Sequence, residues 1–221
     1  MKKYLFTILI FIFASGLYAQ EFKMFGGPVI SNYTEKWPPL YDGIQDASFF
    51  RSPFQNSKAV FTAGIGIEYS LNKIIAIEAD ALYFHRGSSF AYYEPFYSVT
   101  EKATYNMKGI GFPILVKATF LPPPFPYIIG GCELSFILSH SRTIWIDDYV
   151  YERKRDILEY TGRDDFTLIF GCGFEMKISK LILFIEGRYN LGQNNLYVGS
   201  YKRYFPKIKA AALQILAGFK I

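Results

Sequence analysis

The sequence has few cysteines, few histidines and little charge for its length. Its 221 residues include 2 Cys and 2 His, and only 19% of them are charged. Two cysteines are too few for a disulfide-dense small domain, and two histidines offer little material for a histidine-based metal site. The sequence also has no phosphate-binding loop and no nucleotide-binding fingerprint. We therefore expect neither a metal nor a cofactor.

The charge balance excludes one class of partner and the aromatic content indicates a fold class. The formal net charge is +5, and it falls to +3 without Lys2 and Lys3, which is too weak an excess for a nucleic-acid-binding protein. In contrast, 18 Tyr and 22 Phe are more than a small soluble core can bury. An aromatic content of 19% also excludes intrinsic disorder. The composition predicts an aromatic-rich β protein.

The first residues have the layout of a secretory signal peptide. Lys2 and Lys3 form a basic start, residues 4–13 are almost wholly apolar, and Ala19 precedes Gln20. The apolar core is shorter than the roughly 20 residues that a membrane-spanning helix needs. No Cys follows the expected cleavage site, which argues against a lipid anchor. We predict a signal peptide at residues 1–19 and one domain over residues 20–221.

The remainder of the chain alternates with the period of a β-strand. Between Ala59 and Leu71 the odd positions are apolar, whereas the even positions are small or polar. The pattern recurs in seven other segments and loses its phase near Lys108 and Gly109, where either a bulge or the start of the loop is expected. The eight predicted strands are residues 22–31, 59–71, 74–86, 105–120, 127–141, 165–178, 180–191 and 213–221.

The connections between these strands alternate in length. Three are short (71–73, 121–126 and 179–180), and four are long (32–57, 87–104, 142–164 and 194–207). An even number of strands with short turns at one rim and long loops at the other is typical of outer-membrane proteins. We predict an all-β fold, an eight-stranded antiparallel up-and-down transmembrane β-barrel with short periplasmic turns and long extracellular loops.

The charged side chains share one face of the strands, and this distinguishes a membrane barrel from a soluble one. A soluble, lipocalin-like ligand-binding barrel buries its apolar face, whereas a membrane barrel turns that face to lipid. The opposite face here is rich in glycine and carries both signs of charge, which suits a narrow lumen. The predicted lumen charge network is Glu68, Glu78, Asp80, Lys117, Glu133, Glu175, Lys177, Glu186, Arg188 and Lys220.

Several stretches resemble a known family. They are FTAGIGIEY (61–69), GFPILVK (111–117), PYIIGG (126–131), DFTLIFGCGFE (165–175) and EGRYNLG (186–192). Together they resemble the PorT-like outer-membrane β-barrel proteins, a porin-like family of Bacteroidetes-type bacteria. The resemblance implies an eight-stranded barrel in the outer membrane of the cell envelope, and it implies no single activity.

A barrel of eight strands has an interior that side chains can fill, whereas a general porin needs about 16 strands. We therefore expect a plugged structural or interaction scaffold whose long aromatic extracellular loops bind a ligand or an envelope or secretion-complex protein. Outer-membrane lipid is the other expected partner, and nucleic acid is not expected. A narrow channel is one alternative, and the loop aromatics also fit an interfacial girdle. The predicted loop surface is Trp37, Tyr92, Tyr93, Trp145, Tyr149, Tyr151, Arg153 and Arg155.

The last alternative is a small lipid-modifying enzyme. His140 stands between Ser139 and Ser141, and His85 lies near the end of another strand. The alternation predicts that both histidines face outward. Because adjacent strand residues point to opposite faces, Ser139, His140 and Ser141 do not form a catalytic dyad. We therefore expect that the chain is not an enzyme.

Cys132 and Cys172 both have lipid-facing parity on strands that should be neighbours. Each lies about six residues from the short-turn end of its strand, so the two are expected side by side. Cross-strand disulfides need unusual geometry, and two apolar thiols facing lipid are favoured.

Overall fold

The computed structural model describes residues 20–36, 54–94, 99–120, 125–146, 149–196, 198 and 207–221. The predicted signal peptide and most of the first predicted loop lie outside these residues. Among the described residues, no helix is long and apolar enough to cross a membrane. The strands are Gln20–Lys36 (β1), Phe54–Ser70 (β2), Ile75–Glu94 (β3), Val99–Thr119 (β4), Phe125–Ile146 (β5), Tyr149–Asp156 (β6), Asp164–Ile178 (β7), Leu181–Gly192 (β8) and Lys207–Lys220 (β9).

Eight of these strands close into a barrel. All pairings are antiparallel, and the order β4-β3-β2-β1-β9-β8-β7-β5 is closed by pairing of β4 with β5. Among the described residues, β6 pairs only with the last part of β5, from Ser141 to Ile146, and a 3-10 turn at Leu158–Tyr160 leads on towards β7. The predicted eight-stranded up-and-down barrel is confirmed, with β6 as an addition at one rim.

The strands continue well beyond the predicted boundaries at the long-loop rim. β3 runs to Glu94, β4 begins at Val99, and β5 runs to Ile146 before β6 folds back along it. Two predicted loops, 87–104 and 142–164, are therefore largely strand. Their many aromatic and β-branched residues favour strands. Their alternation is weak because above a membrane both faces of a strand can meet water.

The barrel has an apolar outside and a charged inside. On β8, for example, the outward Ile185 is 64% exposed, whereas Arg188 on the inward face is 0% exposed. Outward apolar side chains form a continuous band, here called the apolar belt, which runs from Ile128 to Leu138 on β5. Because a soluble barrel has the opposite arrangement, these faces are those of a membrane barrel.

A bulge on β5 exchanges the two faces of that strand. Gly109 on β4 lies opposite Ile137, and the next residue, Lys108, lies opposite Ser139, which leaves Leu138 without a partner on β4. Above this extra residue, His140 is 6% exposed and faces inward. The prediction that His140 faces outward is therefore wrong. The irregularity lies where the sequence pattern placed it, but β4 keeps its phase and β5 carries the extra residue.

The two cysteines are not side by side. Cys172 lies opposite Ile128, which is four residues below Cys132, and Cys132 lies opposite Leu168. Both thiols are free. The predicted juxtaposition is wrong because the two strands end in different short turns, and the stagger of barrel strands offsets those turns.

Candidate functional site

The inward side chains form three groups of charges along the lumen. The lower cluster lies nearest the short-turn rim and consists of Glu68, Lys117, Glu175 and Lys220. Lys117 Nζ lies 3.0 Å from Glu68 Oε1 and 2.5 Å from Glu175 Oε1. Lys220 pairs with the same two carboxylates. Each lysine is therefore shared by both acids, and no member of this cluster is left with an unpaired charge.

The central cluster joins β8 to the wall across the lumen. Arg188 Nη2 lies 2.6 Å from Glu78 Oε1, and Arg188 Nη1 lies 2.9 Å from Asp80 Oδ2. The same guanidinium also contacts Glu186, whose other oxygen accepts a hydrogen bond of 2.8 Å from the Tyr127 hydroxyl. Lys23 on β1 adds a second cation, 2.5 Å from Glu78 Oε1. A fork of five donors suits such a set of converging carboxylates better than an ammonium group would.

The upper cluster is built around Arg86. Its Nη2 lies 2.7 Å from Glu133 Oε1, and its Nη1 lies 3.5 Å from Asp165 Oδ2. The hydroxyl groups of Ser135 and Thr167 donate to the same two carboxylates. All of these side chains are at most 1% exposed. This cluster therefore fills the cross-section above the central cluster.

Aromatic rings lie between the charges and the barrel wall. Lys23 Nζ lies 4.5 Å from the ring centroid of Phe184, Lys117 Nζ lies 4.6 Å from that of Tyr127, and the Arg86 guanidinium lies 4.4 Å from that of Phe84. Cations over ring faces at such distances gain electrostatic stabilisation, and more so when water is excluded. The rings also supply much of the apolar volume inside the barrel.

An aromatic layer with one histidine closes the lumen above the apolar belt. His140 packs against Tyr33 and Tyr105, with ring centroids 6.2 and 6.0 Å away, beside Met107. The Thr161 hydroxyl donates to the carbonyl of Ile157, so it accepts from His140, whose Nδ1 is 2.7 Å away. The proton of the neutral imidazole is therefore on Nδ1. Burial lowers the pKa of His140 to about 4, partly offset by the Asp156 carboxylate.

At the short-turn rim the lumen opens into a cavity of about 280 Å³. Its floor is formed by Glu68, Lys117 and Glu175 of the lower cluster, and its wall includes Lys73 and Lys177. The cavity therefore ends on paired charges and does not continue through the described lumen. Among the described residues, no three His, Cys, Asp or Glu side chains are arranged to hold a metal ion.

All but one of the lumen residues predicted from the sequence are buried in the three clusters. The exception is Lys177, which has inward parity but is exposed at the cavity wall. Three charged members, Lys23, Arg86 and Asp165, were not predicted. Each has the inward parity of its strand, but each stands close to the end of a predicted segment, where alternation alone gave little support.

The predicted loop surface is mostly strand. Tyr92 and Tyr93 lie on β3 opposite Glu101 and Thr100, and Trp145 on β5 lies between Lys102 and Val150. The other members on β6 are Tyr149, Tyr151, Arg153 and Arg155, and Trp37 lies outside the described residues. Apart from Trp37, these residues therefore belong to an extended β-sheet above the apolar belt, formed by the ends of β3, β4 and β5 with β6.

Solved outer-membrane barrels are similar to this chain at low identity. The outer membrane protein OprG from Pseudomonas aeruginosa is 13% identical, with 92% of this chain and 96% of OprG covered and a TM-score of 0.48. The Neisserial surface protein A, NspA, is 13% identical, with 90% and 96% covered and a TM-score of 0.41. A comparison with curated proteins gives no match.

One similar structure corrects an expectation. The outer membrane protease OmpT from Escherichia coli is 11% identical, with 91% of this chain and 95% of OmpT covered and a TM-score of 0.43. The expectation that this chain is not an enzyme is contradicted, because a protease is among the similar solved barrels. At this identity the likeness concerns the fold alone and assigns no activity to this chain.

The family is established by a match to a family model. Residues 19–198 match the model of the outer membrane protein beta-barrel domain. This match covers most of the chain, and it agrees with the closed barrel, the apolar belt and the charged lumen. The chain belongs to the family of outer-membrane β-barrel domain proteins and is located in the bacterial outer membrane.

Proposed function

We propose that the protein is a plugged outer-membrane scaffold that presents an extracellular β-sheet to an envelope or secretion-complex protein. The observation that carries the proposal is the filled lumen, in which three ion-pair clusters are followed by the His140 layer. A solute would have to separate buried ion pairs to pass, and separating them costs several kcal/mol. Binding would then be the task of the sheet at the long-loop rim.

Conductance measurements test the plug. The purified full chain, inserted into a planar lipid bilayer, should show no steady ion current. The double substitution Glu78→Ala with Arg188→Ala removes the centre of the plug and should produce a small current if the variant inserts. The single substitution Lys177→Ala is the matched control, because Lys177 is exposed at the cavity wall. A steady current through the wild-type chain would contradict the proposal and favour a narrow channel.

Co-purification tests the binding surface. Trp145 on β5 and the β6 residues Tyr149, Tyr151 and Arg153 lie in neighbouring strands of the extracellular sheet. After cross-linking in intact cells, a specific envelope protein should co-purify with the wild-type chain. It should be lost when Tyr149 and Tyr151 are replaced by serine, and retained with Lys154→Gln on the same strand. If the same proteins are recovered with every variant, or if none is recovered, the interaction role is wrong.

We also propose that the mature chain begins at Gln20, after removal of the predicted signal peptide. Mass spectrometry of the protein from outer-membrane fractions tests this boundary. A mass that includes residues 1–19 would contradict it.

A further inference from the structure

A cationic patch lies on the outer wall of the barrel, directly above the apolar belt. Tyr83 on β3 and Ile110 on β4 are paired, outward and well exposed, and they end the belt on these strands. The next outward residues are His85 and Lys108, which pair with each other. Because outward positions on one strand are about 7 Å apart, the wall changes from apolar to basic within that distance.

Lys58 on β2 completes the patch. Its ammonium group donates to Asn106 Oδ1 on β4, so its side chain crosses β3. It crosses at Gly87, where its Cδ lies 3.0 Å from the position that a Cβ would occupy. The lysine is therefore held against the wall and is not free to extend into water. The Asn106 side chain also lies beside His85 and favours the protonated form of its imidazole. We call Lys58, His85, Asn106 and Lys108 the basic patch.

The basic patch contains hydrogen-bond donors but has no carboxylate among the described side chains beside it on β3 and β4. On the outer faces of β3 and β4 above the belt, the other described side chains are Ser89, Thr104 and Lys102, and Ser89 and Thr104 share a hydrogen bond. No carboxylate stands at these described positions. Asp156 is two strands away on β6, where one of its oxygens accepts from the backbone of Leu158.

Two further observations indicate that an anion would be stabilised there. The Nε2 atom of His85 is buried and has no hydrogen-bond partner among the described residues. Burial also lowers the pKa of Lys58, because its charge is partly withdrawn from water while its partner is a neutral amide. An anion on the patch would compensate the cost at Lys58, and it would accept a hydrogen bond from Nε2 of His85 when that nitrogen carries a proton.

We propose that the basic patch binds the phosphate groups of the phosphorylated glycolipid of the outer leaflet. In a membrane, the acyl chains end where the apolar belt ends, and the phosphate groups lie immediately above. Lysine binds phosphate as a compact point charge, and its aliphatic stem tolerates the apolar boundary. A free phosphate ion shares this chemistry, but it makes no use of Phe61, Tyr83 and Ile110 below the patch, which fit the acyl chains.

Titration with a defined lipid tests the proposal. The full chain in detergent micelles is titrated with bis-phosphorylated lipid A, and the bound lipid is counted by native mass spectrometry. The double substitution Lys58→Gln with Lys108→Gln should raise the apparent Kd about 25-fold, or about fivefold per lysine, as expected for surface lysines near anionic lipid. The matched control is Lys73→Gln with Lys180→Gln, which removes the same charge at the exposed turns of the opposite rim and should leave the Kd unchanged.

Two further titrations distinguish lipid-bound phosphate from free phosphate. Dephosphorylated lipid A should bind the wild-type chain as weakly as lipid A binds the double variant, and inorganic phosphate at the same concentration should not displace lipid A. Displacement by inorganic phosphate, equal binding of the dephosphorylated lipid, or equal weakening by the control pair would each overturn the proposal. If the double variant fails to fold, the single substitution Lys108→Gln at an exposed position is expected to weaken binding about fivefold. An unchanged Kd in that folded variant would also overturn it.

Discussion

Arg188 and Asp80 face each other across the lumen, with Arg188 Nη1 2.9 Å from Asp80 Oδ2. They are 108 residues apart in sequence, and their strands, β8 and β3, are separated in the sheet by β9, β1 and β2. The ion pair therefore joins two walls that share no backbone hydrogen bonds. Both side chains are buried, so neither charge can be compensated by bulk water.

Replacing Arg188 by methionine should destabilise the barrel strongly. The substitution keeps an unbranched side chain but leaves Glu78, Asp80 and Glu186 without their shared cation, and breaking a buried pair in this way costs about 3–5 kcal/mol. Urea unfolding in detergent micelles, followed by circular dichroism, measures the loss. Lys177→Met on the exposed wall of the cavity is the control and should change stability by less than about 0.5 kcal/mol. Similar curves for the two variants would show that the central cluster is not stabilising.

The strands of the barrel could be predicted from the sequence only where one face contacts lipid and the other faces the lumen. Within the apolar belt each strand has lipid on one side and packed charges on the other, so segments such as 59–71 alternate regularly. Above the belt both faces of β3, β4 and β5 can meet water, and the sequence there no longer records the strand period. The extensions to Glu94 and Ile146 were missed for this reason.

The candidate site was predictable to a similar extent. Charges in the middle of strands, such as Glu78 and Arg188, were placed in the lumen by parity alone. Arg86 was missed because it stood at the end of a predicted segment. His140 was placed on the wrong face because the irregularity was expected near Lys108 and Gly109 on β4, whereas β5 carries the extra residue. Which cation contacts which carboxylate depends on the stagger of the strands, which the alternation does not contain.

Replacing Gly66 by alanine should destabilise the barrel, whereas the same change at Gly187 should not. A Cβ at Gly66 would collide with the Asp80 carboxylate, which Arg188 holds in place. We expect a loss of about 1–3 kcal/mol, as for overpacking elsewhere. At Gly187 the nearest neighbour of a Cβ would be the carbonyl oxygen of Cys172, at 3.9 Å. Urea midpoints of the two variants in the same detergent provide the comparison, and a Gly66→Ala variant as stable as Gly187→Ala would contradict the packing around Asp80.

Stability should fall in mild acid because of His140. Its ordinary pKa of 6.5 is lowered to about 4 in the folded state, so below pH 6.5 the unfolded chain binds a proton that the folded chain does not. Protonation of the unfolded chain therefore costs almost no folding stability well above pH 6.5. The cost grows progressively as the pH falls towards 4. Between pH 7 and 5 the loss should be about 2 kcal/mol.

The variant His140→Gln isolates this effect. Its free energy of unfolding should change less between pH 7 and pH 5 than that of the wild-type chain, by about the same 2 kcal/mol. His85→Gln is the control, because His85 lies on the outer wall and is only partly buried. If the wild type and His140→Gln lose stability in parallel, the imidazole is not buried in its neutral form.

The two cysteines should remain unpaired in the native protein. Cys172 is exposed on the outer wall, and its register partner is Ile128 and not Cys132. Thiol labelling of the denatured protein should therefore give two labels per chain, with or without prior reduction. Labelling that appears only after reduction would show a disulfide and would require a different register between β5 and β7.

The length of β5 has a mechanical consequence for any partner. Its 22 residues rise about 3.4 Å each, and a strand tilted by roughly 45° then gains about 50 Å in height, about twice the apolar height of a bilayer barrel. The part of β5 above the lipid is hydrogen-bonded to its neighbouring strands, and it therefore forms a rigid wall. A molecule that adheres to this wall meets a surface already in its final shape, so little freedom of motion is lost when the two come together.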